Sequence, residues 1–480
     1  MDNFWDYSVW GCMSVIAILL LSLLAANALK KNVPLLQRSL IPTSVLGGAL
    51  LLLVVVVYKL ISGDRLFDTA FFNNAGTDYL EMITYHTLAL GFIASALKSS
   101  KGKLSKKRTT EIFNTGVTTV STYLLQGVLG MAVTIICALV MKELLEASGI
   151  ILAFGFGQGT GQAMNYGGIY ETEHGFIDGK SFGLSIAALG FICASVGGVI
   201  HLHVMRKQGK IGNMTEHTDE LTPSDIQGKN EIPLQESIDK LTIQIALIAG
   251  SYFIAYLLMF GLGKLLPGMR SVIYGFNFLL GVIAATLVKT VKNFLLKKGI
   301  SKKEYTNDFL LTRTSNFFFD IMVVAGIAAI RLEAIEKYWW VLVILAFVGF
   351  VSTYAYNRFV SKTLFKEYSE EQFMVMYGML TGTASTGIIL LREVDGDFKT
   401  PAADNIVYQN FPAIVFGFPL MFLATLAPTK PYLTLGILAA MLVAMNLILF
   451  RSFIFCKHKK GGNTNEDTAT ATESEDKVSE

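Results

Sequence analysis

Two short stretches carry the residue types that could hold a small ligand: Phe154-Gly-Phe-Gly-Gln-Gly-Thr-Gly-Gln162 and Leu380-Thr-Gly-Thr-Ala-Ser-Thr-Gly387. Gly157, Gln158, Gly159, Thr160 and Gly161 make up the centre of the first, and Thr381, Gly382, Thr383, Ser385 and Thr386 that of the second. Glycine lets a ligand approach the backbone, and the hydroxyls add hard oxygen donors. Where such a stretch breaks a helix, the new N-terminus offers free N–H groups and a positive dipole end, which suit a carboxylate. The facing C-terminus offers carbonyls suited to Na⁺. Three more residues join the candidates. Asp320 lies inside the apolar run Phe317-Phe-Phe-Asp-Ile-Met322, and an ionisable residue there is a candidate ion ligand or a counter-charge for an amino group. Asn405 and Asn410 open the apolar run after the second stretch, while Asp404 beside them reads as a helix cap.

Both stretches sit inside apolar sequence, yet neither reads as an ordinary spanning helix. Glycine costs roughly 1 kcal/mol per helical position relative to alanine. Lipid forbids unpaired backbone, so a break at membrane depth must be buried in protein or line a cavity. The alternative for either stretch alone is a seam of small residues for close helix packing. Two breaks at corresponding places in two halves point instead to a transporter binding site.

Composition fixes the class. Of 480 residues 52% are hydrophobic and 16% charged, and the mean hydropathy is +0.50. Soluble domains are nearer 25% charged, and several runs here reach the roughly 20 apolar residues that cross a bilayer. The chain reads as an all-α polytopic membrane protein. A net charge of +3 gives no reason to expect nucleic acid as a partner. The four cysteines, Cys12, Cys137, Cys193 and Cys456, fall in or beside apolar segments without metal spacing. There is no P-loop lysine motif, HExxH or GxSxG, so no enzyme class and no cofactor are expected.

Eleven spans are expected, near residues 8–29, 42–60, 79–97, 112–141, 181–205, 241–262, 271–288, 315–330, 338–360, 403–427 and 432–455. The glycine-rich stretches, about 149–170 and 373–391, fall between the fourth and fifth and between the ninth and tenth. Basic residues decide which way the chain threads. With the N-terminus outside and neither stretch crossing, the inner loops of the first half hold nine: Lys30, Lys31, Arg38, Lys98, Lys101, Lys103, Lys106, Lys107 and Arg108. The outer loops hold four: Lys59, Arg65, Lys142 and Lys180. Letting the first stretch cross would move the linker's Arg206, Lys207 and Lys210 outside. Letting the second cross would do the same to Arg451, Lys457, Lys459 and Lys460. Both stretches are therefore expected to be re-entrant hairpins, one from each side.

Each half then has four spans, a hairpin and a fifth span. Five crossings is odd, so the second half starts on the opposite side: an inverted repeat. The expected organisation is a first repeat over 1–205, a cytoplasmic linker over 206–240, a second repeat over 241–428, an extra transmembrane helix over 429–456 and a disordered cytoplasmic tail over 457–480.

With these features the chain resembles the bacterial glutamate:sodium symporter family. The similarity rests on Ile41-Pro-Thr-Ser-Val-Leu-Gly-Gly48 opening the second span, Gly157-Gln-Gly-Thr-Gly161 in the first hairpin, and the place of the second hairpin. It departs at Gln158, where His is expected, and in the Thr- and Ser-rich second tip. The resemblance implies hairpins that meet at mid-membrane, Na⁺ as coupling ion, an anionic amino acid as substrate, a homodimer, and residence in the cytoplasmic membrane. The function expected is sodium-coupled uptake of glutamate or a related amino or dicarboxylic acid by alternating access. The alternatives are an ion channel, or a carrier for another organic anion, with a filter built from re-entrant loops.

Overall fold

The computed structural model describes residues 3–98, 105–209, 231, 238–300, 303–396 and 399–452. Most of the expected linker and all of the expected tail lie outside them. Among the described residues, ten helices are long and apolar enough to cross a membrane. They are α1 (Tyr7–Asn32), α2 (Thr43–Ser62), α3 (Gly76–Leu97), α4 (Lys106–Val140), α7 (Gly179–Lys207), α8 (Lys240–Leu265), α9 (Asn277–Lys297), α10 (Asp308–Ala328), α11 (Leu332–Leu364) and α16 (Pro431–Leu449). A further apolar segment is bent: α14 (Ala402–Tyr408) and α15 (Asn410–Leu426) meet at 53°. This is the membrane-type, all-helical architecture that composition implies.

Several helices begin before their apolar runs do. Hydropathy marks the stretch that matches hydrocarbon, whereas a helix continues until a cap stops it. Asn307 caps α10 by accepting from Leu310 N at 2.7 Å, so α10 starts ahead of the apolar run at 315. Ser105 caps α4 by accepting from Arg108 N at 3.3 Å. Asp239 caps α8 by accepting from Leu241 N at 2.8 Å.

Helix pairing exchanges the two halves. α1 packs on α2 as α8 packs on α9, and α2 packs on α10 as α9 packs on α3. α3 lies against α10, and α4 against α11. α16 packs along α4, and its Asn446 Oδ1 accepts from Tyr356 Oη of α11 at 2.8 Å.

The glycine-rich stretches are broken. The first forms α5 (Ile151–Gln158) and α6 (Thr160–His174), and the second α12 (Ser369–Thr381) and α13 (Ala384–Arg392). Each pair folds back on itself. The Phe154 and Tyr166 rings stack at 4.1 Å. A Cβ on Gly378 would sit 2.8 Å from Gly387 Cα. The surrounding core is dense, with Phe154, Phe156, Tyr170, Tyr377 and Leu380 all buried.

Candidate functional site

The first break is made by Gly159, with φ +82° and ψ −168°. That combination is essentially confined to glycine, which explains why the helix stops there. Gly157 supplies space. A Cβ on it would collide with the Tyr123 ring, whose hydroxyl donates to Gly157 O at 3.0 Å. Past the break, Thr160 Oγ1 donates to Met322 O on α10 at 3.3 Å. Gly161 lies against Leu88 and the Met322 sulfur. The first α-helical bond of α6 is from Ala163 N to Gly159 O at 3.3 Å, so the N–H groups of the preceding turn lack intrahelical acceptors. Gln162 stands in this turn, fully buried. Neither its Oε1 nor its Nε2 has a hydrogen-bond partner among the described residues.

The second break is built differently. Gly382 takes φ −153° and ψ −103°, outside the left-handed region. Thr383 then caps α13, its Oγ1 accepting from Thr386 N at 3.4 Å. The Thr381 hydroxyl donates to Tyr377 O at 2.6 Å within its own helix. Leu380 O, at the carbonyl end of α12, accepts from Gln126 Nε2 at 2.8 Å. Thr386 is buried, and the Ser385 side chain lies outside what the structure describes.

The two breaks touch. A Cβ on Gly159 would stand 3.3 Å from Thr383 Cγ2 and 3.8 Å from Gly382 O. Gly159, with Gly157, Gln158, Thr160 and Gly161 beside it in the chain, is thus brought against Gly382 and Thr383, which Thr381 and Thr386 flank. The meeting point presents two helix C-termini and two helix N-termini. It therefore combines carbonyl oxygens and N–H groups in one buried place, the chemistry that a cation and a carboxylate need.

The three remaining sequence candidates have partners of their own. Asp320 lies near the middle of α10, is exposed, and interacts with the Ser44 hydroxyl in the first turn of α2. Met322 and Gly326 of the same helix face Thr160, so the carboxylate points to a different side of α10 from the tips. Asn405 is buried in a hydrogen-bonded group. Its Nδ2 donates to Tyr368 Oη and Gln372 Oε1, each at 3.0 Å, and Gln372 in turn donates to Thr115 Oγ1 at 3.3 Å. Gln372 lies in the first turns of α12, away from its broken end. Asn410 is exposed and accepts from Gln409 Nε2 at 3.3 Å. Asp404 is not the cap of α14, a position held by Pro401; it lies in the first turn, 3.8 Å from Arg108.

Other residues gain a place that the sequence did not suggest. Tyr123 and Gln126, both on α4, donate to the ends of α5 and α12 respectively. Beside α6 a cavity of about 410 Å³ is lined by Asp78, Glu81, Tyr85, Asn165, Lys180 and Tyr274 among others. Glu81 is nearly buried there and is held by Lys180 at 2.5 Å and Arg331 at 3.6 Å. Among the described residues no group of three or more His, Cys, Asp and Glu is arranged to hold a metal ion. Comparison with protein-family models and with curated proteins finds no match.

Proposed function

We propose that this chain is a secondary active transporter that couples Na⁺ to the uptake of glutamate, or a closely related amino or dicarboxylic acid, by alternating access. The observation that carries the reading is the contact of Gly159 with Thr383. Two helices, one from each half, break in the bundle interior and meet tip to tip. Unwound backbone of this kind is tolerated only in protein or against a cavity, and broken helices in corresponding halves mark transporter sites. The exchanged helix pairing supports two repeats of opposite orientation, in which α5–α6 and α12–α13 are re-entrant hairpins entering from opposite sides. The basic residues of the loops support an outer N-terminus and an inner C-terminus.

In this reading the N-termini of α6 and α13 receive the carboxylates of the substrate, while Gln162 supplies an amide to one polar end of it. The similarity to glutamate:sodium symporters supplies the substrate class and the coupling ion. The test is uptake of labelled glutamate, aspartate and non-amino dicarboxylates into proteoliposomes, with an inward gradient of NaCl or of choline chloride. Saturable uptake that needs the Na⁺ gradient is expected. Single-channel currents without saturable uptake would instead establish a channel.

A further inference from the structure

We propose that a monovalent cation binds at the crossing of α4 and α11, beneath the second break, with Gln126 Oε1 and Asn357 Oδ1 as ligands. The choice of sodium as that cation rests on the transport reading above; the site itself rests on the following geometry.

Four polar side chains meet at this crossing. Thr122 and Gln126 are one helical turn apart on α4, and Thr353 and Asn357 one turn apart on α11. All four are fully buried. Their hydrogen bonds are reciprocal between the helices. Gln126 Nε2 donates to Thr353 Oγ1 at 2.9 Å and to Leu380 O at 2.8 Å. Asn357 Nδ2 donates to Thr353 O at 2.9 Å and to Thr122 Oγ1 at 3.4 Å. Each amide nitrogen has two hydrogens, and each has two acceptors.

That count fixes the amide orientations. Turning either amide over would set its oxygen against a backbone carbonyl, Leu380 O or Thr353 O, which cannot donate. The oxygens therefore point the other way. Neither Gln126 Oε1 nor Asn357 Oδ1 finds a partner among the described residues, and both are inaccessible. Burying an amide oxygen without a donor is costly, and two such costs at one crossing call for a ligand. A hard cation takes oxygen donors. The donors here are neutral amides and hydroxyls without a carboxylate, which suits a single positive charge. The carbonyl end of α12 lies alongside at Leu380 and contributes the negative end of a helix dipole.

The position also couples the ion to the tip. The amide that would bind the cation through its oxygen holds Leu380 O through its nitrogen, and Leu380 immediately precedes Thr381, Gly382 and Thr383. An ion on Gln126 fixes the amide that fixes the break. The second tip is then ordered before the anionic ligand arrives, so the two ligands favour one another's binding.

The experiment is thermal unfolding of the purified full chain in detergent, with no organic substrate, titrated with NaCl against choline chloride at constant ionic strength. A ligand that binds only the folded protein raises its unfolding temperature with concentration. A Na⁺-specific rise is expected for the wild type. In Asn357→Leu the half-saturating Na⁺ is expected to increase at least tenfold. Gln126→Asn keeps an amide but withdraws its oxygen by one methylene. It is expected to fold and to need at least threefold more Na⁺. No Na⁺-specific rise in the wild type would overturn the proposal, as would unchanged half-saturation in Gln126→Asn. A variant's own loss of stability cancels, because the readout is the difference between the two salts. Failure of glutamate uptake with this Na⁺ response intact would retire the substrate reading alone.

Discussion

At the first break the backbone itself does the work, with Gly159 at φ +82°; at the second, Gly382 keeps a φ of −153° and the Thr383 hydroxyl caps the helix that follows. The packing differs in the same sense. α6 lies against α7, α3 and α10, whereas α13 packs mainly on α12, α7 and α14. The first hairpin is also locked by glycine-on-backbone contacts: Gly149 on Gly130, Gly167 on Gly179, and Gly183 on Ala163. The second has contacts of the same kind, Gly387 on Val375 O, Gly378 on Gly387 and Gly190 on Thr381 O, but no glycine at positive φ. The first break is therefore set by the conformation of its own backbone. The second lacks that device, and its helix ends are held by side-chain hydrogen bonds from Gln126 and Thr383, which a ligand can strengthen or release.

The largest effect should come from the shape-held hairpin. In Gly149→Ala the new methyl would overlap Gly130 O, and Thr134 Oγ1, which accepts from Gly149 N at 3.0 Å, has no room to withdraw. Overpacking of this kind costs about 3 kcal/mol, and the unfolding temperature in detergent should fall steeply. Gly436→Ala, where no atom lies within 4 Å, should leave it unchanged. Equal behaviour of the two would remove the contrast between a rigid first hairpin and its surroundings.

Next come the tips themselves. Gly159→Val and Gly382→Val should both abolish uptake with insertion intact, since each puts a branched side chain where the breaks meet. The alanine variants should separate them. Gly159→Ala must adopt a conformation that costs about 1–3 kcal/mol for a non-glycine residue. In Gly382→Ala the nearest atoms to the new methyl are the Phe191 ring at 2.9 Å and the Thr386 hydroxyl at 3.0 Å, side chains that can give way. Uptake by Gly159→Ala should be at least tenfold lower than by Gly382→Ala. Equal losses would mean that the two breaks are conformationally alike.

Sequence pattern and structure part company along the same line. The helices and both broken stretches were legible, because glycine density and apolar run length report local backbone cost and hydrocarbon thickness. A positive φ occurs at Gly159 and not at Gly382. There the threonines replace backbone freedom with a side-chain cap, a substitution that the Gly-Thr spelling does not reveal. Gln126 and Asn357 were invisible for another reason. Glutamine and asparagine inside a helix usually find a nearby acceptor, and Gln126 becomes noteworthy only through Thr353 and Leu380, which lie 227 and 254 positions along the chain. Asn405 illustrates the converse. Its position just after the second stretch suggested the site, but its amide is turned to Tyr368 and Gln372, at the opposite end of α12 from the break.

Gln162 tests whether the rigid side of the meeting point touches the anion. Both its amide atoms lack partners in the first turn of α6. Gln162→Leu removes them while keeping a similar volume, so the fold should gain rather than lose from the change. The concentration for half-maximal uptake should rise about tenfold, which is about 1.4 kcal/mol, with the Na⁺ dependence of unfolding unaltered. Higher stability with unchanged uptake would show that Gln162 is a buried polar residue and not a ligand.

The smallest effect is expected at Asp320, the residue that its setting among three phenylalanines made most conspicuous. Its carboxyl group lies beside the Ser44 hydroxyl in the first turn of α2. Met322 and Gly326, on another face of α10, are the residues that meet Thr160. The carboxyl group thus faces the start of α2, in the Ile41-Pro-Thr-Ser44 segment, and not the side of α10 that meets the tips. Asp320→Asn keeps the shape and one acceptor oxygen. That oxygen can still accept from the Ser44 hydroxyl, so the unfolding temperature should change little. The Na⁺ needed for half-maximal uptake should move by less than about twofold, under roughly 0.5 kcal/mol. A Na⁺ titration of uptake on both proteins, repeated with glutamate and with a dicarboxylate lacking the amine, separates the roles. A tenfold greater Na⁺ requirement would make Asp320 an ion ligand. Loss of glutamate with the dicarboxylate retained would make it the partner of the substrate ammonium, and would bring the cleft between α2 and α10 into the site.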